Sequence, residues 1–245
     1  MKNYKAETYG ELYADRYDEW HGPSAEDAVK TLKGLAGEGR ALELGVGTGR
    51  VAIPLAAEGV EVHGIDASPS MVERMREKPG GERVHATIGD FADVAADGEF
   101  SLVFVVFNTF FMLLTQEEQL RCFRNAAARL APGGVFVLEA FFPNVSRYEG
   151  GQVVRTISVA DEEVILEVSQ HEAARQLVTS QRVVLGGASG GVRLFPIRIR
   201  YAWPSELDLM ARLAGLRLRE RRGGWRREPF DSQSEKHVSV YERAE

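Results

Sequence analysis

Apolar positions switch between two spacings along this chain. Short continuous runs stand at Arg40–Leu44, Val60–Ile65, Phe100–Phe107 and Val135–Ala140, and Val84, Ala86 and Ile88 alternate. Such runs predict strands, and the nearly unbroken one at 100–107 predicts a central strand covered on both faces. Between them the period lengthens to that of helices: Val29, Leu32, Leu35 and Ala36; Arg50 to Ala57; Met71, Val72 and Met75; Leu120, Phe123, Ala127 and Leu130. Strands alternating with helices at these intervals predict an α/β fold with a parallel, doubly wound sheet.

Start and stop signals sharpen the boundaries. Ser24 before Asp27 resembles a capping box, Ser68-Pro69 supplies a cap and a first-turn proline, and Thr115 with Glu118 marks a further helix start. Pro132-Gly133-Gly134 is read as the turn into the fifth strand. After Pro143 the pattern changes, with alternating stretches at 153–159, 164–168, 177–185 and 192–201. Gly186-Gly187 and Gly190-Gly191 punctuate them as hairpins, so an antiparallel sheet inserted after strand five is expected. Helical spacing returns at Leu207, Met210 and Leu213 behind a Ser205/Asp208 cap pair, and two strands, about 216–222 and 237–242, close the chain. The expected division is a helical lid over 1–38, a core over 39–145 and 203–245, and the insert over 146–202.

Composition narrows the functional classes. The chain has 245 residues and a formal net charge of −6, which argues against nucleic acid as a partner. Its one cysteine, Cys122, lies in a helical stretch and rules out an internal disulfide framework. No signal-like apolar segment opens the sequence, and the longest apolar run, 102–114, is interrupted by Asn108 and Thr109 and too short for a bilayer. No membrane partner and a cytoplasmic location are the expectations. The five histidines are scattered, without the spacing of a metal site.

Candidate chemistry concentrates at Glu43-Leu44-Gly45-Val46-Gly47-Thr48-Gly49, between a strand and a helix. Glycines there let the backbone bend tightly and approach a nucleotide beside a positive helix end. Asp66 ends the next strand, where a carboxylate accepts ribose hydroxyls. Gly47-Thr48-Gly49-Arg50-Val51-Ala52 also matches G-x-G-x-x-A, so an NAD(P)-linked oxidoreductase is the competing reading. Glu43 speaks against it: a pyrophosphate would be repelled there, and an ammonium welcomed. Asp90, after the third strand, adds an acceptor for an adenine amine. A non-catalytic binding protein stays open, because no catalytic base is identifiable.

Over residues 40–140 the sequence resembles the class I S-adenosylmethionine-dependent methyltransferases. The resemblance implies a Rossmann-like seven-stranded core, S-adenosyl-L-methionine as cofactor and no metal. It implies that Glu43, Gly45, Gly47 and Gly49 hold the methionine portion and that Asp66 binds the ribose. Ala67 and Met71 would flank the adenine, Asp90 and Phe91 would contact it, and Phe107 and Asn108 would face the cofactor from strand four. Leu130-Ala131-Pro132-Gly133-Gly134 matches the family's turn before strand five.

Tyr9, Tyr13, Tyr17 and Trp20 recur on one face of a helix. They read either as core packing or as a lid. Members that methylate amino sugars and other small metabolites carry a similar tyrosine-rich leader, which makes Tyr13 and Tyr17 the lid candidates. The same members, notably sugar N,N-dimethyltransferases, roof the acceptor pocket with an antiparallel insert. The implied reaction moves a methyl group to an amine or hydroxyl of a small molecule, by in-line displacement. His21, Glu139 and His171 are the candidate bases. The insert also offers a homodimer surface, and the six arginines between 217 and 227 read as a solvated face.

Overall fold

The computed structural model describes residues 4–22, 25–186 and 190–244. Three helices lead the chain: α1 (Thr8–Tyr13), α2 (Tyr17–His21) and α3 (Glu26–Ala36). There follow β1 (Ala41–Leu44), α4 (Ala52–Ala57), β2 (Val62–Asp66), α5 (Pro69–Glu77), β3 (Val84–Ile88), β4 (Phe100–Val105), α6 (Gln116–Ala128) and β5 (Leu130–Phe141). β6 (Gln152–Val159), β7 (Glu163–Glu172), β8 (Leu177–Gly186) and β9 (Val192–Arg200) come next, then α7 (Pro204–Leu213), β10 (Leu216–Arg222) and β11 (Lys236–Arg243).

The main sheet has the order β10-β11-β5-β4-β1-β2-β3. Its first five strands in sequence pair in parallel, and at one end β11 pairs antiparallel with both β5 and β10. Burial on both faces explains the continuous apolar run in β4. Phe100, Val103 and Val105 join the cluster with Phe123, Phe136 and Tyr241, whereas Leu102 and Phe104 join the one with Leu32, Leu55 and Val137. The expected doubly wound core is therefore present. β6 to β9 form a separate antiparallel sheet in sequential order. Among the described residues no helix is long and apolar enough to cross a membrane.

Local signals explain most boundaries. Ser68 Oγ accepts from the Met71 N–H, with Pro69 at the first helical position, and Thr115 with Glu118 forms a full capping box. Cys122 is buried, and burial pushes its thiol pKa up, away from reactivity.

Three expectations change. The Ser205/Asp208 cap is absent: Trp203 precedes α7 without a side-chain cap, Pro204 starts it, and Asp208 is held by Arg221 at 2.6 Å. That same pair makes Arg221 the most buried of the arginine cluster; Arg222 is also half-buried, and the other four are exposed. Pro132-Gly133-Gly134 does not separate a turn from a strand. It forms an irregularity inside β5, where pairing jumps from Phe100↔Leu130 to Leu102↔Val135. The leader is not one helix, since α1 and α2 are separated at Ala14–Arg16. Ser24 and Gly187 lie outside the described residues.

Candidate functional site

The glycine loop leaves β1 at the carboxyl edge of the sheet, where open α/β sheets bind ligands. Gly45, Gly47 and Gly49 all take positive φ. At Gly45 a Cβ would stand 2.4 Å from Thr109 Cγ2, so only glycine lets the loop approach the segment after β4. At Gly47 there is open space: among the described residues, its chain neighbours apart, no atom lies within 4 Å of a would-be Cβ. Asp66, at the tip of β2, spans the loop: one carboxylate oxygen accepts from the Gly47 N–H at 2.8 Å and the other from the Ser68 N–H at 2.9 Å.

Glu43 lies inside this arrangement, 3% exposed, with Oε2 buried and unpartnered. Burial first, and then the nearby Asp66 charge, push its pKa well above the ordinary carboxylate value. Burial also raises Asp66, against the pull of the N–H groups of Ser68 and Gly47. A pair of desolvated carboxyls beside an open loop suits a ligand that brings its own donors and positive charge.

Ala67 follows Asp66 and is half-buried. Met71 turns toward the leader, in a cluster with Tyr13 and Ala14. Asp90 accepts from the Ala92 N–H at 2.8 Å, and Phe91 is packed in the core beside Cys122 and Phe123.

The leader is tied across this edge. Asp18 accepts from Thr48 Oγ1 at 2.7 Å and pairs with Lys78 at 2.7 Å. Burial opposes ionisation of Asp18, but the Lys78 and Thr48 hydrogen bonds outweigh it and lower its pKa. Glu11 binds the hydroxyls of Ser68 and Ser70, each at 2.6 Å, and Arg50 donates to the His21 carbonyl at 2.6 Å. Although the helix is broken, its aromatics come together. Tyr9 stacks on Tyr13 at 4.1 Å, and Tyr13 and Trp20 both meet Phe195 of β9 edge-on. Tyr13 Oη donates to the Phe195 carbonyl at 2.8 Å.

After β4 the backbone is strained. Phe107 and Asn108 are successive non-glycine residues at φ 54° and 68°. Glu139 holds the turn, accepting from the Phe107 N–H at 3.0 Å with one oxygen and from Lys236 at 2.9 Å with the other. Asn108 Oδ1 accepts from the Phe141 N–H at 2.6 Å, and the Arg50 guanidinium lies 3.4 Å above the Phe107 ring. Glu139 thus has both oxygens engaged and does not line the cavity described next.

That cavity, of about 1040 Å³, opens between the leader, the strained turn and the inner face of β6 to β9. Tyr13, Tyr17, Phe107, Asn108 and His21 line it. The glycine loop, Asp66, Asp90 and His171 do not; His171 stands behind Tyr201, with Nε2 2.9 Å from that lining hydroxyl. His21 is near Tyr17, ring centres 4.6 Å apart, and burial followed by the Arg182 and Arg50 charges lowers its pKa to about 4. Sequence reasoning missed the ties through Glu11, Thr48 and Arg50, together with Tyr201 and Arg182 in the cavity wall.

The comparisons agree with this geometry. Residues 41–134 match the family described as methyltransferase domain. The structure of the CcbJ methyltransferase from Streptomyces caelestis is 44% identical, with a TM-score of 0.93 over 99% of this chain and 100% of that one. The cypemycin N-terminal methyltransferase from Streptomyces sp is 31% identical over 203 residues, covering 82% of each protein. The chain is a class I S-adenosylmethionine-dependent methyltransferase. The dTDP-4-amino-2,3,4,6-tetradeoxy-D-glucose N,N-dimethyltransferase of Saccharopolyspora spinosa is 28% identical over 67% of this chain and 65% of its own length. The cofactor of this methyltransferase is S-adenosylmethionine, and the residues at the glycine loop fit it: Glu43 offers an orphaned buried oxygen, and Gly47 an open cradle. The NAD(P) reading of the same glycines is set aside.

Proposed function

We propose that this methyltransferase moves a methyl group to an amine nitrogen of a small molecule held in the cavity beneath the inserted sheet. When bound, S-adenosylmethionine supplies a sulfonium methyl already activated for in-line displacement. Glu43 and the three glycines would hold its amino-acid end, and Asp66 its ribose. Ala67, Met71, Asp90 and Phe91 would surround the adenine, with Phe107 and Asn108 beside the sulfur. The leader would act as the lid, with Tyr13 and Tyr17 on its inner surface.

One observation carries the choice of nitrogen: the cavity's tyrosines and His21 are held neutral. Burial raises the pKa of Tyr9, Tyr13 and Tyr17, and lowers that of His21 to about 4. At neutral pH His21 is too weak a base to activate a hydroxyl, and the tyrosines stay protonated. An amine that arrives neutral brings its own lone pair and needs only alignment, which proximity alone rewards by up to about 7–11 kcal/mol. Tyr13 Oη is spent on the Phe195 carbonyl, which leaves the Tyr17 hydroxyl to orient the amine. The amino-sugar relative is named an N,N-dimethyltransferase and the cypemycin relative an N-terminal methyltransferase, which supports the same acceptor class.

The test is turnover of S-adenosylmethionine with matched amine and alcohol acceptors of metabolite size, followed as S-adenosylhomocysteine release. Methylation of amines with the corresponding alcohols inert is the expected result. Alcohols methylated in preference to their amines would overturn it.

A further inference from the structure

The inner face of the inserted sheet carries a row of charged residues that the transfer chemistry does not use. Register sets Arg155 opposite Glu167, Glu167 opposite Arg182, and Arg182 opposite Phe195. Directly opposed residues share a face, so the row points together into the cavity that all but Phe195 line. Arg155 closes on Glu167 at 3.0 Å and neutralises it.

Arg182 is left over. Its guanidinium lies 4.7 Å from the centre of the Trp20 ring and 6.0 Å from that of Tyr13. Stacking occupies the plane of the group and leaves its N–H edges unused. Nε is buried without a hydrogen-bond partner, and among the described residues no carboxylate lies within ion-pairing distance of Arg182. Of the other lining arginines, Arg155 is paired with Glu167, and Arg50 and Arg147 each hold one neutral oxygen, the His21 carbonyl and the Tyr148 hydroxyl; Arg50 Nε is unpartnered as well, so what sets Arg182 apart is that its side chain makes no hydrogen bond among the described residues. Among the described residues four arginines therefore face two glutamates, Glu167 and Glu235, in the wall of this cavity. The local balance is positive in a chain whose net charge is −6. A guanidinium fixed against aromatic faces, with its fork free, is a receptor for an oxyanion.

We propose that Arg182 binds an oxyanion carried by the methyl acceptor, a carboxylate or a phosphate ester. The acceptor is then an amine bearing its own negative charge. This rests on the reading of the cavity as the acceptor site. It assigns Arg182 to selecting the acceptor, with no part in cofactor binding.

The experiment uses the full chain loaded with S-adenosylhomocysteine, titrated calorimetrically with inorganic phosphate and, separately, with acetate at constant ionic strength. Saturable binding of at least one is expected, weakened tenfold or more in Arg182→Gln and unchanged in Arg219→Gln on the exposed side of β10. Tighter phosphate than acetate assigns a phosphate ester, and the reverse order a carboxylate. Arg182→Met keeps the stem over Trp20 and is measured beside the glutamine variant in case that one does not fold. Absence of saturable binding to either anion overturns the proposal, as does undiminished binding in whichever variant folds. Cofactor binding is read in the same samples. A wild type that fails to bind S-adenosylhomocysteine sinks the methyl-transfer site itself, whereas one that binds it but neither anion sinks the role of Arg182 alone.

Discussion

Replacing Glu43 by Gln keeps the shape of the side chain and removes its charge, which separates two effects that the wild type combines. Without ligand the carboxylate is sealed from water with one oxygen unpartnered, so the neutral acid is favoured. Because its folded pKa is raised above the ordinary 4.5, the stability it contributes is complete below that value and is lost as pH rises through the folded one. Glutamine mimics the neutral acid at every pH. The unliganded variant should therefore melt no lower than the wild type at pH 6 and higher at pH 8. Ligand binding should move the other way. A charged hydrogen bond to a donor contributes about 1.5–3 kcal/mol, and at 3% exposure water does little to screen this one. With about 1.4 kcal/mol per tenfold, S-adenosylhomocysteine should bind roughly 10- to 150-fold more weakly to the variant. Wild-type affinity should also fall as pH drops and Glu43 takes up its proton, a dependence that flattens in Glu43→Gln. Calorimetry at pH 6, 7 and 8, paired with thermal melts of the unliganded proteins, reads both quantities. A Kd within threefold of wild type would refute the reasoning, and so would a variant that melts well below wild type at pH 8.

Three further outcomes follow from the same contacts. Asp18→Ala cuts the leader from Thr48 and Lys78; because both charged partners are partly exposed, the tie is worth about 1 kcal/mol or less, and stopped-flow release of S-adenosylhomocysteine should quicken about two- to fivefold. Glu139→Gln removes the charge that holds the Phe107 N–H and Lys236, loosening the strained turn. Turnover should fall about tenfold in steady-state assays with folding preserved by circular dichroism, and unchanged turnover would contradict the role given to Glu139. Phe123→Ala opens a cavity among Phe110, Phe136 and Tyr241 and should cost about 3–5 kcal/mol in chemical denaturation.

The fold was legible where apolar spacing was decided by burial alone. β4 had to be covered on both faces because its alternate residues feed two different cores, and a continuous apolar run records that directly. The four strands of the insert were legible for the complementary reason, since each alternates between a cavity face and an outer face. The signals that failed were short-range ones. Asp208 looked like part of a cap three residues after Ser205, yet Arg221 and Tyr241 compete for its carboxylate and win. The leader aromatics kept helical spacing because they share one neighbourhood, not because one helix carries them. Phe195, 182 positions after Tyr13, meets Tyr13 and Trp20, and Tyr9 in turn packs on Tyr13 and Tyr17.

The candidate site divides along the same line. Its glycines could be recognised because backbone conformation at Gly45 excludes any side chain, and a requirement of that kind leaves a mark at a single position. The cavity wall leaves no such mark. Arg182 differs from Arg155 only in what stands across the sheet from it: one finds Glu167, and the other finds that carboxylate already taken. Likewise Glu139 reads as a base when it is simply an acid near the end of a strand, and becomes a support once Phe107 and Lys236 are seen to occupy it. Whether a charged residue does chemistry, binds a ligand or holds a turn depends on which partner reaches it first, and that order is set by packing between elements far apart in sequence. On the proposed reading, cofactor recognition rests on local backbone form and is written in the sequence, whereas acceptor recognition rests on charges left unpaired after folding.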